Sequence, residues 1–179
     1  LTCASNEAST LPSVLGLDEL LKRREVAQRS ASDIFEDEAT GTSELYYGSG
    51  PANSAGVDIY VSTVGPDGAY GPGVPVAELN TDLIERMPAI ARDGLEIFFA
   101  SNRLAGSGAL DLWVATRSSS AAPWSAPVNL GATVNSTVID ARPAISFDGT
   151  QLYFQSPRSG SLGGFDLFVT TRVKLKGPD

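Results

Sequence analysis

Short runs of aromatic and β-branched residues recur along this chain, and polar or glycine-rich punctuation closes each one. "EIFFAS" (96–101), "DLWVAT" (111–116), "QLYFQS" (151–156) and "DLFVTT" (166–171) are the clearest. Runs of this length and composition between turn signals read as strands. The pattern predicts strands near 45–48, 58–63, 96–100, 111–116, 151–155 and 166–171, with shorter ones in "APVNL" (126–130) and "PAIS" (143–146). Asp-Gly at 93–94 and 148–149 supplies a short hairpin turn. The glycine-rich stretches at 104–110 and 159–164 make the next turn; no helical pattern follows them, so they are not read as a phosphate cradle. Helical spacing is confined to "LDELLKRREV" (17–26), where Leu17, Leu20 and Leu21 share one face.

The runs are copies of one another. "ERMPAIARDGLEIFFAS" (85–101) aligns with "DARPAISFDGTQLYFQS" (140–156), matching Pro88 with Pro143, Asp93-Gly94 with Asp148-Gly149 and Phe99 with Phe154. "LDLWVATR" (110–117) aligns with "FDLFVTTR" (165–172) at the same offset. A third copy, "SELYYGSGPANSAGVDIYVST" (43–63), has drifted further. There "FEDEATGTSELYY" replaces the proline and the Asp-Gly turn, so the inner hairpin of that copy is not defined by the pattern. The linking pieces agree too: "YGPGVPVAELN" (70–80) parallels "WSAPVNLGATVN" (124–135). Four antiparallel strands in a unit of roughly 40–55 residues are a propeller blade. The expected fold is therefore all-β, a propeller of about three four-stranded blades: half of a six-bladed ring, or a fragment of a longer propeller. The expected division is an N-terminal segment over 1–41, repeats at about 42–87, 88–142 and 143–172, and a tail over 173–179.

The order acidic-x-x-Pro, Asp-Gly, Leu-Tyr-Phe-x-Ser-x-Arg, glycine-rich turn, Asp-Leu-aromatic-Val resembles the TolB-like β-propeller repeat over about 42–172. The resemblance implies six blades, an extracytoplasmic location and a role in protein interaction. It also implies a closing strand, for which "PSVLG" (12–16), similar to "PVNLG" (127–131), is the candidate.

Composition narrows the chemistry. The chain has 179 residues and a formal net charge of −8. A phosphate backbone is repelled by that field, so nucleic acid is not an expected partner; cationic partners or metal ions are favoured. No apolar run approaches the roughly 20 residues of a membrane span. Cys3 is the sole cysteine, which rules out an internal disulfide; its "LTC" context is either a poor lipid-attachment box or a plain tail. The first residue is not Met, which leaves processing or truncation open. There is no histidine, so Ser-His-Asp and Cys-His nucleophile systems and imidazole zinc sites are excluded. Catalysis, if any, runs on carboxylates, Arg, Lys, Tyr or a bound metal.

Several positions stand out as candidates. Asp58, Asp111 and Asp166 occupy one repeated position at a strand start. They form either a ring of metal or substrate ligands or a set of turn caps accepting backbone N–H bonds. Arg103 and Arg158 repeat with Ser101 and Ser156 two residues before them, which favours structural Arg–Asp pairing within a blade. Glu85 and Asp140 precede the innermost strand, with Arg86 and Arg142 close by, so they border the channel as ligands or as rim salt bridges. Trp113 and Trp124 are read as packing. Two function classes follow. One is a non-catalytic module that binds a protein, peptide, glycan or other small molecule through its channel or loops. The other is a calcium-dependent hydrolase, similar in architecture to propeller lactonases of the gluconolactonase and paraoxonase type. In that reading Glu85, Asp140, Asn80 and Asn135 hold Ca2+, with Asp82 nearby, and Glu85 and Asp140 activate water toward a lactone or ester.

Three blades leave two sheet faces without a neighbour, and a pair of chains would cover both in one ring. A homodimer is the expected assembly. Light scattering at micromolar concentration should give twice the chain mass, and a clean monomer would refute it.

Overall fold

The computed structural model describes residues 32–37, 41–50, 56–65 and 67–173. Every regular element among them is a strand: β1 (Ser32–Asp37), β2 (Thr42–Ser49), β3 (Asp58–Val64), β4 (Val74–Pro75), β5 (Glu85–Ile90), β6 (Glu96–Ser101), β7 (Asp111–Thr116), β8 (Val128–Asn129), β9 (Ala141–Ile145), β10 (Gln151–Ser156) and β11 (Asp166–Thr171). They form three antiparallel meanders, β1-β2-β3-β4, β5-β6-β7-β8 and β9-β10-β11. The first strands of successive sheets adjoin, β1 against β5 and β5 against β9. The described residues thus make three blades of a propeller with β1, β5 and β9 along the axis. The helix expected at 17–26, the closing strand expected at 12–16 and Cys3 lie outside the described residues.

Two differences from the sequence pattern have local causes. The first sheet takes in β1, upstream of residue 42, and the turn hydrogen bond in its hairpin spans one residue more than that of the Asp-Gly hairpin. Gly41 N donates to Asp37 O at 2.7 Å, with Gly41 at φ +68°. In the second blade the turn is tighter: Gly94 N donates to Ala91 O at 2.8 Å, and Ala91 N to Glu96 O. Gly94 also sits at φ +68°, and a Cβ there would lie 2.3 Å from the Phe35 ring of the first blade. Glycine is required on both counts. The outer strands β4 and β8 shrink to two residues, and Pro75 in β4 has no N–H to extend the ladder.

Burial follows blade position. The middle blade is covered on both faces, and β6 is buried almost continuously. Ile97, Phe99 and Trp113 pack toward Phe35, Tyr46 and Ile59 of the first blade. Phe98, Ala100 and Leu112, on the opposite pleat, pack toward Leu152 and Phe154 of the third. In β11 one face is covered, so exposure alternates: Leu167 is 68% exposed, whereas its repeat counterpart Leu112 is fully buried.

Each inner strand of the second and third blades carries a bulge. Met87 and Pro88 lie opposite Phe99 alone, and Arg142 and Pro143 lie opposite Phe154. Met87 and Arg142 adopt φ of 58° and 54°. A side-chain-bearing residue before proline disfavours this region, so the surrounding ladder must hold it there.

Phe99 has no accessible surface and lies at the centre of the first seam. Phe99→Ala should lower unfolding stability by about 3–5 kcal/mol. Val128→Ala, on the exposed outer strand, should change it by less than about 0.5 kcal/mol. Denaturant titration followed by tryptophan fluorescence measures both.

Candidate functional site

The repeated polar residues make repeated bonds. Glu85 pairs in register with Ser101, on the pleat that faces the first blade. Its side chain is wholly buried. It accepts from Thr81 N, Thr81 Oγ1 and Ser101 Oγ, each at 2.8 Å, and meets Arg103 at 3.2 Å. Arg103 also donates to Ser101 Oγ and to Leu79 O. Asp140 repeats the cluster one blade later. It is wholly buried and accepts from Ser136 N, Ser136 Oγ and Arg158, while Arg158 donates to Ser156 Oγ and Val134 O. The guanidiniums that meet these acids come from Arg103 and Arg158, not from the adjoining Arg86 and Arg142. Nor do Asp111 and Asp166 receive them.

Asp111 instead accepts from Ser107 N and Gly108 N, and Asp166 from Leu162 N, each bonding its own turn. Asp58 is half-buried and its carboxyl is raised above the ordinary range by burial, then by the charges of Glu85 and Asp82. Asn80 and Asn135 each use both ends of the amide on a third strand. Asn80 accepts from Ile59 N at 2.8 Å and donates to Ile59 O at 2.9 Å; Asn135 does the same at Leu112, at 2.8 and 3.0 Å. Each amide acts as one residue of a missing strand.

Two arginines that the sequence pattern did not single out bind the blades together. Arg117 donates to Gly94 O at 2.6 Å and reaches back to Glu44 of the first blade at 3.3 Å, with Trp124 4.3 Å from its guanidinium. Arg172 donates to Gly149 O at 2.7 Å and makes a two-pronged contact with Glu96 of the second blade. Both end a quoted repeat, "VATR" and "VTTR", and that repetition was the available signal. Trp124 packs edge-on against Tyr46 from the connection between β7 and β8, outside any strand.

What the repeat does not account for is Arg86 and Arg142. Arg86 stands where the third blade has Ala141, and Arg142 where the second has Met87. Arg86 pairs with Ala100, on the pleat facing the third blade, and its strand adjoins β9, which carries Arg142. Burial lowers the Arg86 pKa, and the Arg142 charge lowers it further. The Arg86 Nε is buried without a hydrogen-bond partner.

The residues suggested for calcium do not fit that ion. Ca2+ takes six to eight oxygens converging at about 2.3–2.6 Å. Glu85 and Asp140 belong to separate seams, and the amides of Asn80 and Asn135 are committed to strand backbones. Among the described residues no three acidic side chains gather into a metal-holding group.

No protein-family model matches the chain, and no curated protein matches it. Solved structures similar to it include a thermostable family-43 glycoside hydrolase, at 14% identity and TM-score 0.47, covering 83% of this chain and 59% of that one. TolB from Acinetobacter baumannii matches at 17% identity and TM-score 0.41, over 75% of this chain and 30% of that one. Pyrococcus horikoshii acylaminoacyl peptidase matches at 12% and 0.38, over 81% and 26%. The chain thus spans less than two thirds of each of these proteins.

Burial alone would raise the Asp140 carboxyl. The bonds from Arg158, Ser136 and Ser156 outweigh it and hold the group below its ordinary 3.8. A depressed folded pKa contributes stability that is complete above the unfolded value and is lost as pH falls through the folded one. Stability should therefore drop as pH falls below about 4. Asp140→Asn should cost about 3–5 kcal/mol near neutral pH by leaving Arg158 unpaired. The loss should shrink as acid protonates the native carboxylate. Urea unfolding of both proteins between pH 3 and pH 7 checks the convergence.

Proposed function

We propose that the chain is a non-catalytic propeller module of the TolB-like kind. In this reading the inner-strand bulges of its second and third blades receive an anionic group of a protein, peptide or glycan ligand. The observation that carries the reading is the Arg86–Arg142 pair. Two like charges are placed on adjacent axial strands, one with a buried and unpartnered Nε, at positions where the repeat itself has Ala and Met. A scaffold gains nothing from that arrangement, whereas a carboxylate between them would offset the repulsion and supply the missing acceptor. The commitment of Glu85 and Asp140 to buried hydrogen bonds favours binding over hydrolysis, because a general base or metal ligand needs an accessible oxygen.

Calorimetry with a hexaglutamate peptide and with an oligogalacturonate tests this. Binding to at least one should weaken about tenfold in Arg86→Ala and in Arg142→Ala. Unfolding midpoints should be retained, and affinity should fall as salt rises. Unchanged affinity in the double variant would refute the anion site. Calcium-stimulated turnover of a lactone or ester, lost in Glu85→Gln, would instead establish the hydrolase.

A further inference from the structure

The hairpin ends of β5 and β9, with β1 beside them, enclose an open cavity of about 390 Å³. Asp33, Ile34 and Glu36 of the first blade line it, together with Ile90 and Arg92 of the second and Ile145 and Phe147 of the third. Two features set this lining apart from scaffold. First, the turn tips break the repeat: Arg92 corresponds to Phe147, and Ala91 to Ser146, in otherwise matching "IARDG" and "ISFDG" segments. Elsewhere the repeated polar residues are consumed in bonds to their own turns, to strand backbones and to the connections between blades; these tips do not match each other, so no common structural duty explains them. Second, the lining is chemically mixed in a directed way. Asp33 is held across the seam, Oδ2 accepting from Ile90 N at 3.0 Å and Oδ1 from Ile34 N at 2.9 Å. These bonds fix the carboxylate and leave each oxygen a further lone pair. Glu36 adds an exposed second carboxylate. Phe147 is a large aromatic left 74% exposed, with the Arg92 guanidinium 4.0 Å from its centroid. That ring face is taken by Arg92, whose charge is exceeded by those of Asp33 and Glu36 together, so the lining keeps a net negative charge.

We propose that this cavity binds an organic cation on an alkyl stem, an ammonium or guanidinium of the lysine or arginine type. The charge meets Asp33 and Glu36, and the stem lies along Ile34, Ile90, Ile145 and the Phe147 ring. The net charge of −8 draws such a ligand toward the molecule. The site is separate from Arg86 and Arg142, which lie at the other end of the same strands, and does not depend on an anion being bound there.

The test is titration of the full chain with n-hexylammonium, hexan-1-ol and hexanoate, followed by amide shifts in ¹H–¹⁵N spectra. Hexylammonium should shift Ile34, Ile90 and Ser146 and bind about tenfold tighter than hexanol, and hexanoate should not bind. Glu36→Gln and Phe147→Ala replace exposed side chains, so the fold is retained, and each should weaken hexylammonium binding several-fold. An N-acetyl-lysine amide arm separates sources: tighter binding than hexylammonium assigns a peptide side chain, and equal binding assigns a free amine. Equal binding of hexanol, shifts centred on the outer strands, or full affinity in both variants would overturn the proposal.

Discussion

A carboxylate that touches no water must find every bond it needs inside the protein, and the seams of this molecule are organised around two of them. Glu85 and Asp140 sit where a connecting segment turns inward to begin a new blade. Each gathers a backbone N–H and a hydroxyl from that segment, and an arginine from the far end of the next strand. Each arginine in turn holds a carbonyl of the connection. Desolvating a charge costs several kcal/mol, and full bonding is what offsets it. The cluster therefore fixes the angle at which one blade leaves another, and apolar packing of Phe99 or Leu112 fills the space that angle defines.

Much of the fold was legible because a strand copied at constant offset has little freedom to be anything else. Three blades, their second and third strands and the Asp-Gly turns follow directly from the repeat. β1 was not legible: "DIFED" carries three acids among five residues, and no Asp-Gly follows it, so neither alternation nor turn chemistry marks it. The candidate site was legible in part. Glu85 and Asp140 do start axial strands, but the pleat before the bulge turns them into the seams. A one-dimensional pattern does not record which pleat faces the channel. Arg86 and Arg142 were found by nearness to those acids; the structure associates them with each other instead. Arg117 and Arg172 closed the repeats in plain view, yet their partners Glu44 and Glu96 belong to other copies, and a comparison of copies cannot display a contact between them.

The division of labour is visible in which residues repeat. Asn80 with Asn135, Asp111 with Asp166 and Arg103 with Arg158 recur, and all are spent on backbone or seam. Arg86, Arg142, Arg92 and Phe147 have no like counterpart, and all lie on the axial strands or their turns. Recurrence in a repeat protein is evidence of scaffolding, and departure from it on a shared surface is where recognition is to be sought.

The bridge between Arg117 and Glu44, repeated by Arg172 and Glu96, has a direction. The cation always belongs to the later blade and the acceptor to the earlier one. The third blade carries Gln151 where the acceptor would stand. During synthesis, each arginine is made after the glutamate it will meet. The blades can thus be laid down in order from the N-terminal side, and no buried guanidinium waits for a partner not yet made. A chain started at the second blade would keep the Arg117 bond to Gly94 O but would lose its carboxylate, Glu44. In both bridges the acceptor precedes the cation along the chain, so the ionic contact across each seam has a sense as well as a strength.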